Sequence, residues 1–376
     1  MNQPQLPLGF VYREPPPSPP PTESEKNLLD YKFSNFDQRL DHFSFTQESY
    51  TTFPQRYAVN SNFWRGAKDN YPIFVELAGE WEMGIGTRLL AQHGVEAKAL
   101  LVIIEHHYYG KSMPLGSREG AMNNATTLGY LSASQALADA ATLITELKRN
   151  LSAENCPVIV FGGLYAGELA IWFRLKYPHI AMAAWWSSTP IFRSPDLNKV
   201  DEYDAIVSRG FREYSESCYQ TIKASWDLID KMAAKPGGPA ELSIRFKTCE
   251  PLTSVAELKA KMKNKYSDAA QYGSSALNTF CDILQAYERE TLPDPCISNA
   301  WDLFCDPNPD GSEKVCFNLN EVSPMDRPFS FQVCTEGQDQ AADHRSSNET
   351  MYKYDDKEKK WDVPGHLISC VDTFNV

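Results

Sequence analysis

Between residues 55 and 190, short apolar runs alternate with stretches of helical period. Ile73-Phe74-Val75-Glu76-Leu77 reads as a short strand that stops at Ala78-Gly79. Ala99 to Glu105 is an unbroken β-rich run, the pattern of a strand covered on both faces. Next, Leu137, Ala140, Ala141, Ile144 and Leu147 recur at three- and four-residue spacing, which predicts an amphipathic helix capped by Ser134. Val158 to Phe161 is a further strand, followed by the turn Gly162-Gly163 and a helix over Glu168–Lys176. Ala181 to Trp186 completes the series. Strands alternating with crossover helices imply a parallel sheet in an α/β fold.

Outside that block the pattern changes. Residues 1–32 carry Pro15-Pro16-Pro17 and Pro19-Pro20-Pro21 and predict a disordered or polyproline arm. Residues 33–194 are expected to form the first part of the α/β core. Over 195–325 the β-runs disappear. Cys218, Ile222, Trp226 and Ile229 line one helical face, and another helix is predicted from Val255 to about Lys265. Residues 326–376 hold one apolar patch, Phe329-Ser330-Phe331-Gln332-Val333, before a charged run from Asp355 to Lys360. They read as a return to the core.

Composition narrows the function classes. The chain has 376 residues, 42% hydrophobic and 12% aromatic, enough for a sizeable core. Its formal net charge of −13 argues against nucleic acid as the partner, because phosphate binding needs a basic surface. No apolar stretch approaches the ~18 residues of a membrane span. Nine cysteines are present without a C-x-x-C pair, so no metal is expected, and no cofactor either. Most of them fall in 218–334, which predicts a disulfide-bearing segment. Three N-x-S/T triplets, at Asn124, Asn150 and Asn348, are candidate glycosylation sites. No signal peptide is legible at the N-terminus, so a cytosolic protein and one with a lost leader both fit.

The stretch that can carry chemistry is Phe161-Gly162-Gly163-Leu164-Tyr165-Ala166-Gly167, between a strand and a helix. A nucleophile elbow needs small residues two before and two after the nucleophile, and Gly162 and Ala166 supply them. Gly163 and Gly167 belong to the same turn, and the following helix offers its first amides to an oxyanion. The central position, however, is leucine. A glycine-rich turn without chemistry fits the heptapeptide as well.

A wider set of motifs supports a family. Asp37-Gln38-Arg39-Leu40-Asp41-His42-Phe43 with Thr52-Phe53-Pro54-Gln55-Arg56-Tyr57, Pro72–Glu80, Glu105-His106-His107-Tyr108-Tyr109-Gly110-Lys111-Ser112, Leu131–Asp139, Trp172–His179 and Ser187-Ser188-Thr189-Pro190 together resemble the prolyl carboxypeptidase, dipeptidyl peptidase II and thymus-specific serine protease family. Cys218, Ser225-Trp226, Phe246 and Cys249 resemble its helical cap, and Cys334-Thr335-Glu336 its return to the core. The resemblance implies an α/β-hydrolase core with an inserted helical cap. It also implies serine exopeptidase activity beside proline or small residues, and a lysosomal or secreted location.

Carried over residue by residue, the resemblance implies an inactive member. Leu164 stands where the family's serine does, and an isobutyl group has no lone pair to attack a carbonyl. Leucine there is also expected to sit in strained, positive-φ geometry. The family's Asn-Gly-x-Leu-Asp-Pro-Trp segment, which holds its acid, is not found, so the acid and histidine are expected to be missing with a shortened C-terminal part. His366 is a weak candidate for the histidine. The amides of Gly79 and Tyr165 are the expected oxyanion-hole donors, with Glu80 and Trp81 beside the substrate pocket, although a core role suits Trp81 equally. His107 replaces the family's arginine and reads as a packing residue behind the site. A peptide is the expected ligand, and the strand ending at Trp186 is expected to be a sheet edge covered by a homo- or heterodimer partner. An active peptidase, its sequence here altered at position 164 and at the C-terminal end, is the alternative.

Overall fold

In the computed structural model of the protein, residues 30–45, 50–80, 87–122, 125–189, 202–246, 248–272 and short stretches between 277 and 352 are described. The proline-rich arm, Trp81, Asn124, Asn348 and His366 lie outside them. The chain divides into two compact units, one built on residues 15–193 with 323–339 and one on residues 194–322 with 340–362.

The first unit is built on a six-stranded sheet. Its strands are β1 (Lys32–Arg39), β2 (Thr52–Asn60), β3 (Ile73–Leu77), β4 (Leu100–Ile104), β5 (Val158–Gly163) and β6 (Ala181–Ser187). They lie in the order β1-β2-β4-β3-β5-β6. The four central and distal strands pair in parallel, whereas β1 pairs antiparallel with β2 and β2 antiparallel with β4. The four strands read from the sequence thus pair in parallel as expected, and β1 and β2 extend them as antiparallel strands, so the whole sheet is mixed. Strands β1 and β2 escape a search for apolar runs because β1 is exposed at all but two of its positions and β2 alternates between buried and more exposed residues, leaving no continuous hydrophobic stretch.

Burial follows the two-residue period. Ile73, Val75, Leu77, Leu100, Val102, Ile104, Val158 and Val160 pack on one face beneath helices α2 (Ala133–Asn150) and α3 (Tyr165–Lys176), meeting Leu137, Ile144, Leu169 and Phe173. Phe74, Leu101, Ile103 and Phe161 point to the other face, where helix α1 (Thr87–Ala97) contributes Leu90 and Ala91. Coverage on both faces explains why β4 is apolar throughout and β3 is apolar apart from the buried Glu76. Helix α2 begins one residue earlier than its expected cap: Ser132, not Ser134, accepts the Gln135 N–H in extended backbone geometry. Helix α3 begins at Tyr165 rather than Glu168, directly after the glycine turn.

The second unit contains helices α4 (Glu202–Tyr214), α5 (Glu216–Ala233), α6 (Gly238–Arg245) and α7 (Val255–Tyr272). Phe211, Cys218, Tyr219, Ile222, Trp226, Ile229, Leu242, Leu258 and Met262 form its core. Cys218 is joined to Cys281, which closes a loop of 63 residues, and Cys249 is also disulfide-bonded. The Trp226 indole N–H donates to the Met351 carbonyl at 2.9 Å, and Ser208 Oγ accepts from the Met351 N–H. These bonds satisfy polar groups that burial alone would penalise. A two-residue ladder, Asp306–Pro307 with Val315–Cys316, is the β-structure described here, so the absence of long β-runs in this segment translates into helices.

Candidate functional site

Strand β5 ends at Gly163 and helix α3 starts at Tyr165, leaving Leu164 as the hinge between them. Its backbone sits at φ 55°, ψ −130°. That combination is unfavourable for any residue with a Cβ, costing on the order of 1–3 kcal/mol. Two bonds hold it. The Leu164 N–H donates to the Ser187 carbonyl at 3.1 Å, and the Leu164 carbonyl accepts from the Gly167 N–H at 3.0 Å. The small residues are required by space. A Cβ on Gly162 would lie 2.0 Å from the Ala166 carbonyl oxygen, and one on Gly167 would lie 1.8 Å from Thr189 Oγ1. Gly79, after β3, packs on the same turn, and a Cβ there would come within 3.2 Å of the Ala166 nitrogen. The fold thus brings Gly79, Gly162, Gly163, Leu164, Tyr165, Ala166 and Gly167 together. Glu80 follows Gly79 and is half-buried.

Behind the turn runs a buried polar chain. His106 Nδ1 lies 2.6 Å from the His107 carbonyl, an atom that can only accept, so Nδ1 carries the proton. Burial, and secondarily the neighbouring His107 ring, depress the His106 pKa well below the ordinary imidazole range, and the ring is neutral. Its Nε2 is then an acceptor, and the Tyr165 hydroxyl donates to it at 3.2 Å. Tyr165 in turn accepts from Gln332 Nε2 at 2.8 Å, and Gln332 Oε1 accepts from the Tyr109 hydroxyl at 2.5 Å. Every proton in the chain Tyr109, Gln332, Tyr165, His106 therefore points one way.

A second cluster adjoins it. Asp139 on α2 receives His107 Nδ1 at 2.6 Å on one oxygen and His42 Nε2 at 2.7 Å on the other. Gln38 Nε2 donates to the Asp139 carbonyl at 3.0 Å. His107 is thus more than packing: it is a hydrogen-bonding partner of a buried carboxylate, and its Nε2 is buried with no partner among the described residues. Nearby, Asp41 receives Ser44, the Phe43 N–H and Gln135. Burial pushes its carboxyl pKa up, but these bonds together outweigh that and lower it. The Glu105–Ser112 loop closes on its own glutamate. Glu105 Oε2 accepts from the Lys111 and Ser112 N–H groups and the Ser112 hydroxyl at 2.7–3.0 Å. Gly110 is at φ 57°, and a Cβ there would lie 2.2 Å from Glu105 Oε1. The motif is a scaffold that supports the turn.

Sequence reasoning placed the turn but missed Gln332, His106, Asp139 and His42. The signal for Gln332 was present: it is the polar residue inside the apolar patch 329–333. Asn150, one of the three candidate glycosylation sites, is exposed at the end of α2.

The strand order, with its antiparallel second strand, and a strained hinge between β5 and the next helix define an α/β-hydrolase. The family model described as serine carboxypeptidase S28 matches residues 38–297, well over half of the chain. The chain belongs to that family. It is 32% identical over 365 residues to the lysosomal Pro-X carboxypeptidase of Bos taurus, covering 89% of this chain and 71% of that protein. It is 32% identical over 337 residues to the lysosomal Pro-X carboxypeptidase of Homo sapiens, covering 84% and 66%. With the thymus-specific serine protease of Homo sapiens it shares 33% over 250 residues, covering 63% and 46%. The chain spans about two thirds of the length of the Pro-X carboxypeptidases it matches.

Proposed function

We propose that this chain is a non-catalytic member of the serine carboxypeptidase S28 family, a peptide-binding or interaction protein whose elbow performs no acyl transfer. One observation carries the reading. Leu164 occupies the hinge at φ 55°, ψ −130°, where a hydrolase of this fold presents its nucleophile, and its side chain has no atom able to attack a carbonyl. In this reading the Gly79 and Tyr165 amides hold a peptide carbonyl or carboxylate without activating it, and Glu80 borders the pocket. A lysosomal or secreted location is supported by the names of the relatives and by the Cys218–Cys281 disulfide, since such bonds persist in oxidising compartments. Strand β6 is taken to pair with a partner chain: among the described residues it lies at one edge of the sheet, and Met182, Trp185 and Trp186 on it are exposed.

The alternative, an active peptidase with serine at position 164, is favoured by the strained backbone, which serves a nucleophile and costs stability without one. Incubating the purified chain with a proline-containing peptide separates the two. Binding by calorimetry with an unchanged peptide mass is expected; release of a C-terminal residue or an N-terminal dipeptide would overturn the reading.

A further inference from the structure

Gln332 stands 223 positions after Tyr109 and 167 after Tyr165, yet it joins the two behind the elbow. All three side chains are buried. Phe331, beside it, packs among Tyr108, Tyr109, Met122 and Leu131, and the Phe331 carbonyl accepts from Thr335 Oγ1 at 2.9 Å. Residues 323–339 belong to the unit built on the sheet, whereas 194–322 and 340–362 belong to the helical unit. The chain thus leaves the helical unit, sets one buried amide against the elbow, and returns to the helical unit.

We propose that Gln332 is a positioning residue of the elbow: by holding the Tyr165 hydroxyl it fixes the Leu164 hinge and the Tyr165 N–H, and so makes the ligand-binding turn depend on the docking of residues 323–339. The strain at Leu164 is the reason such a residue is needed. A backbone at φ 55°, ψ −130° persists only where its surroundings over-determine it. Two restraints, from Ser187 and Gly167, act on Leu164 itself. The third acts on the next residue, the first of α3, whose hydroxyl donates to His106 and accepts from Gln332. Two bonds of opposite sense fix the ring where one would let it pivot. An amide suits the position: it donates to Tyr165, whose own proton is committed to His106, and accepts from Tyr109. A carboxylate could only accept. That the Tyr165 N–H then holds a peptide oxygen rests on the function proposed above; its setting by Gln332 does not.

The test is hydrogen exchange in the full chain, read by mass spectrometry as protection factors for peptides within residues 162–170. Gln332→Leu removes both polar contacts. Elbow protection is expected to fall at least about tenfold while that of α7 holds. Gln332→Glu gives the readout that space-filling alone would not move. Protonated, its carboxyl offers one donor and one acceptor, as the amide does; ionised, it has no donor for Tyr165. The described titratable groups near it are Tyr108, Tyr109, Tyr165 and His106, the last kept neutral by burial. Measured against the parent at each pH, elbow protection in Gln332→Glu is expected to match at about pH 5 and to approach the Gln332→Leu value at about pH 8, since burial favours the neutral acid. Unchanged elbow protection in Gln332→Leu, an equal fall across both units, or a Gln332→Glu ratio independent of pH would each overturn the proposal. If Gln332→Leu does not fold, the pH dependence of Gln332→Glu decides alone. Calorimetry with a proline-containing peptide separates the two readings: a parent that binds none, with exchange as expected, overturns the peptide reading and leaves the positioning role supported.

Discussion

The Tyr165 hydroxyl stands 3.2 Å from His106 Nε2, and this contact ties the first residue of the elbow helix to the loop after β4. Because Gln332 donates to the same hydroxyl, the residue next to the hinge is fixed from two directions. Changing Tyr165 to phenylalanine removes one hydroxyl and leaves two buried groups, His106 Nε2 and the Gln332 amide, unsatisfied. A loss of about 1–3 kcal/mol is expected. Urea denaturation of the variant and the parent measures it, and an unchanged midpoint would show that the chain of bonds is not formed in solution.

His106 also sets a pH dependence. Its folded pKa is depressed, so below the unfolded value of about 6.5 the unfolded chain binds a proton that the folded chain refuses. The stability this residue leaves intact above that pH is lost as the pH falls, at a slope approaching about 1.4 kcal/mol per pH unit from this group alone. The variant His106→Gln keeps an acceptor for Tyr165 and has no such proton. Its denaturation midpoint between pH 7.5 and 5 is expected to fall less steeply than the parent's; parallel curves would refute the assignment.

The two glycines flanking the hinge differ in what they face. Added bulk at Gly162 meets backbone, the Ala166 carbonyl, which cannot swing away; at Gly167 it meets the hydroxyl of Thr189, which can in part. Gly162→Ala is expected to cost about 1–3 kcal/mol or more, and Gly167→Ala less. Thermal unfolding of both variants ranks them, and the reverse order would contradict the packing described.

Strand β6 leads to a solution property. An exposed outermost strand with Met182, Trp185 and Trp186 at its surface favours pairing. Sedimentation velocity at micromolar concentration is expected to show a dimer, and Trp185→Lys with Trp186→Lys to shift it to monomer. A monodisperse parent monomer would remove the case for a partner there.

Much of this was legible in the residues. Strands β3 to β6 announced themselves because they are covered on both faces or carry long apolar runs, and the heptapeptide around Leu164 named the elbow by its spacing of small residues. The positive φ at Leu164 followed from the same spacing. Strands β1 and β2 did not show, because an almost wholly exposed strand and one that alternates residue by residue both resemble ordinary polar sequence. The polar chain was hidden for a different reason: Tyr109, Tyr165 and Gln332 are up to 223 positions apart, and no local pattern reports such a contact. Ser134 was misread as a cap because two serines stand two residues apart, and only geometry tells which one accepts the Gln135 N–H.

The central claim is that position 164 carries no nucleophile, and covalent labelling by a fluorophosphonate tests it most directly. Intact-mass analysis of the purified, folded chain after exposure to the probe is expected to show no adduct. The variant Leu164→Ser, treated alongside, reports whether the rest of the machinery is present. A stoichiometric adduct on the parent chain, mapped to any serine, would contradict the claim.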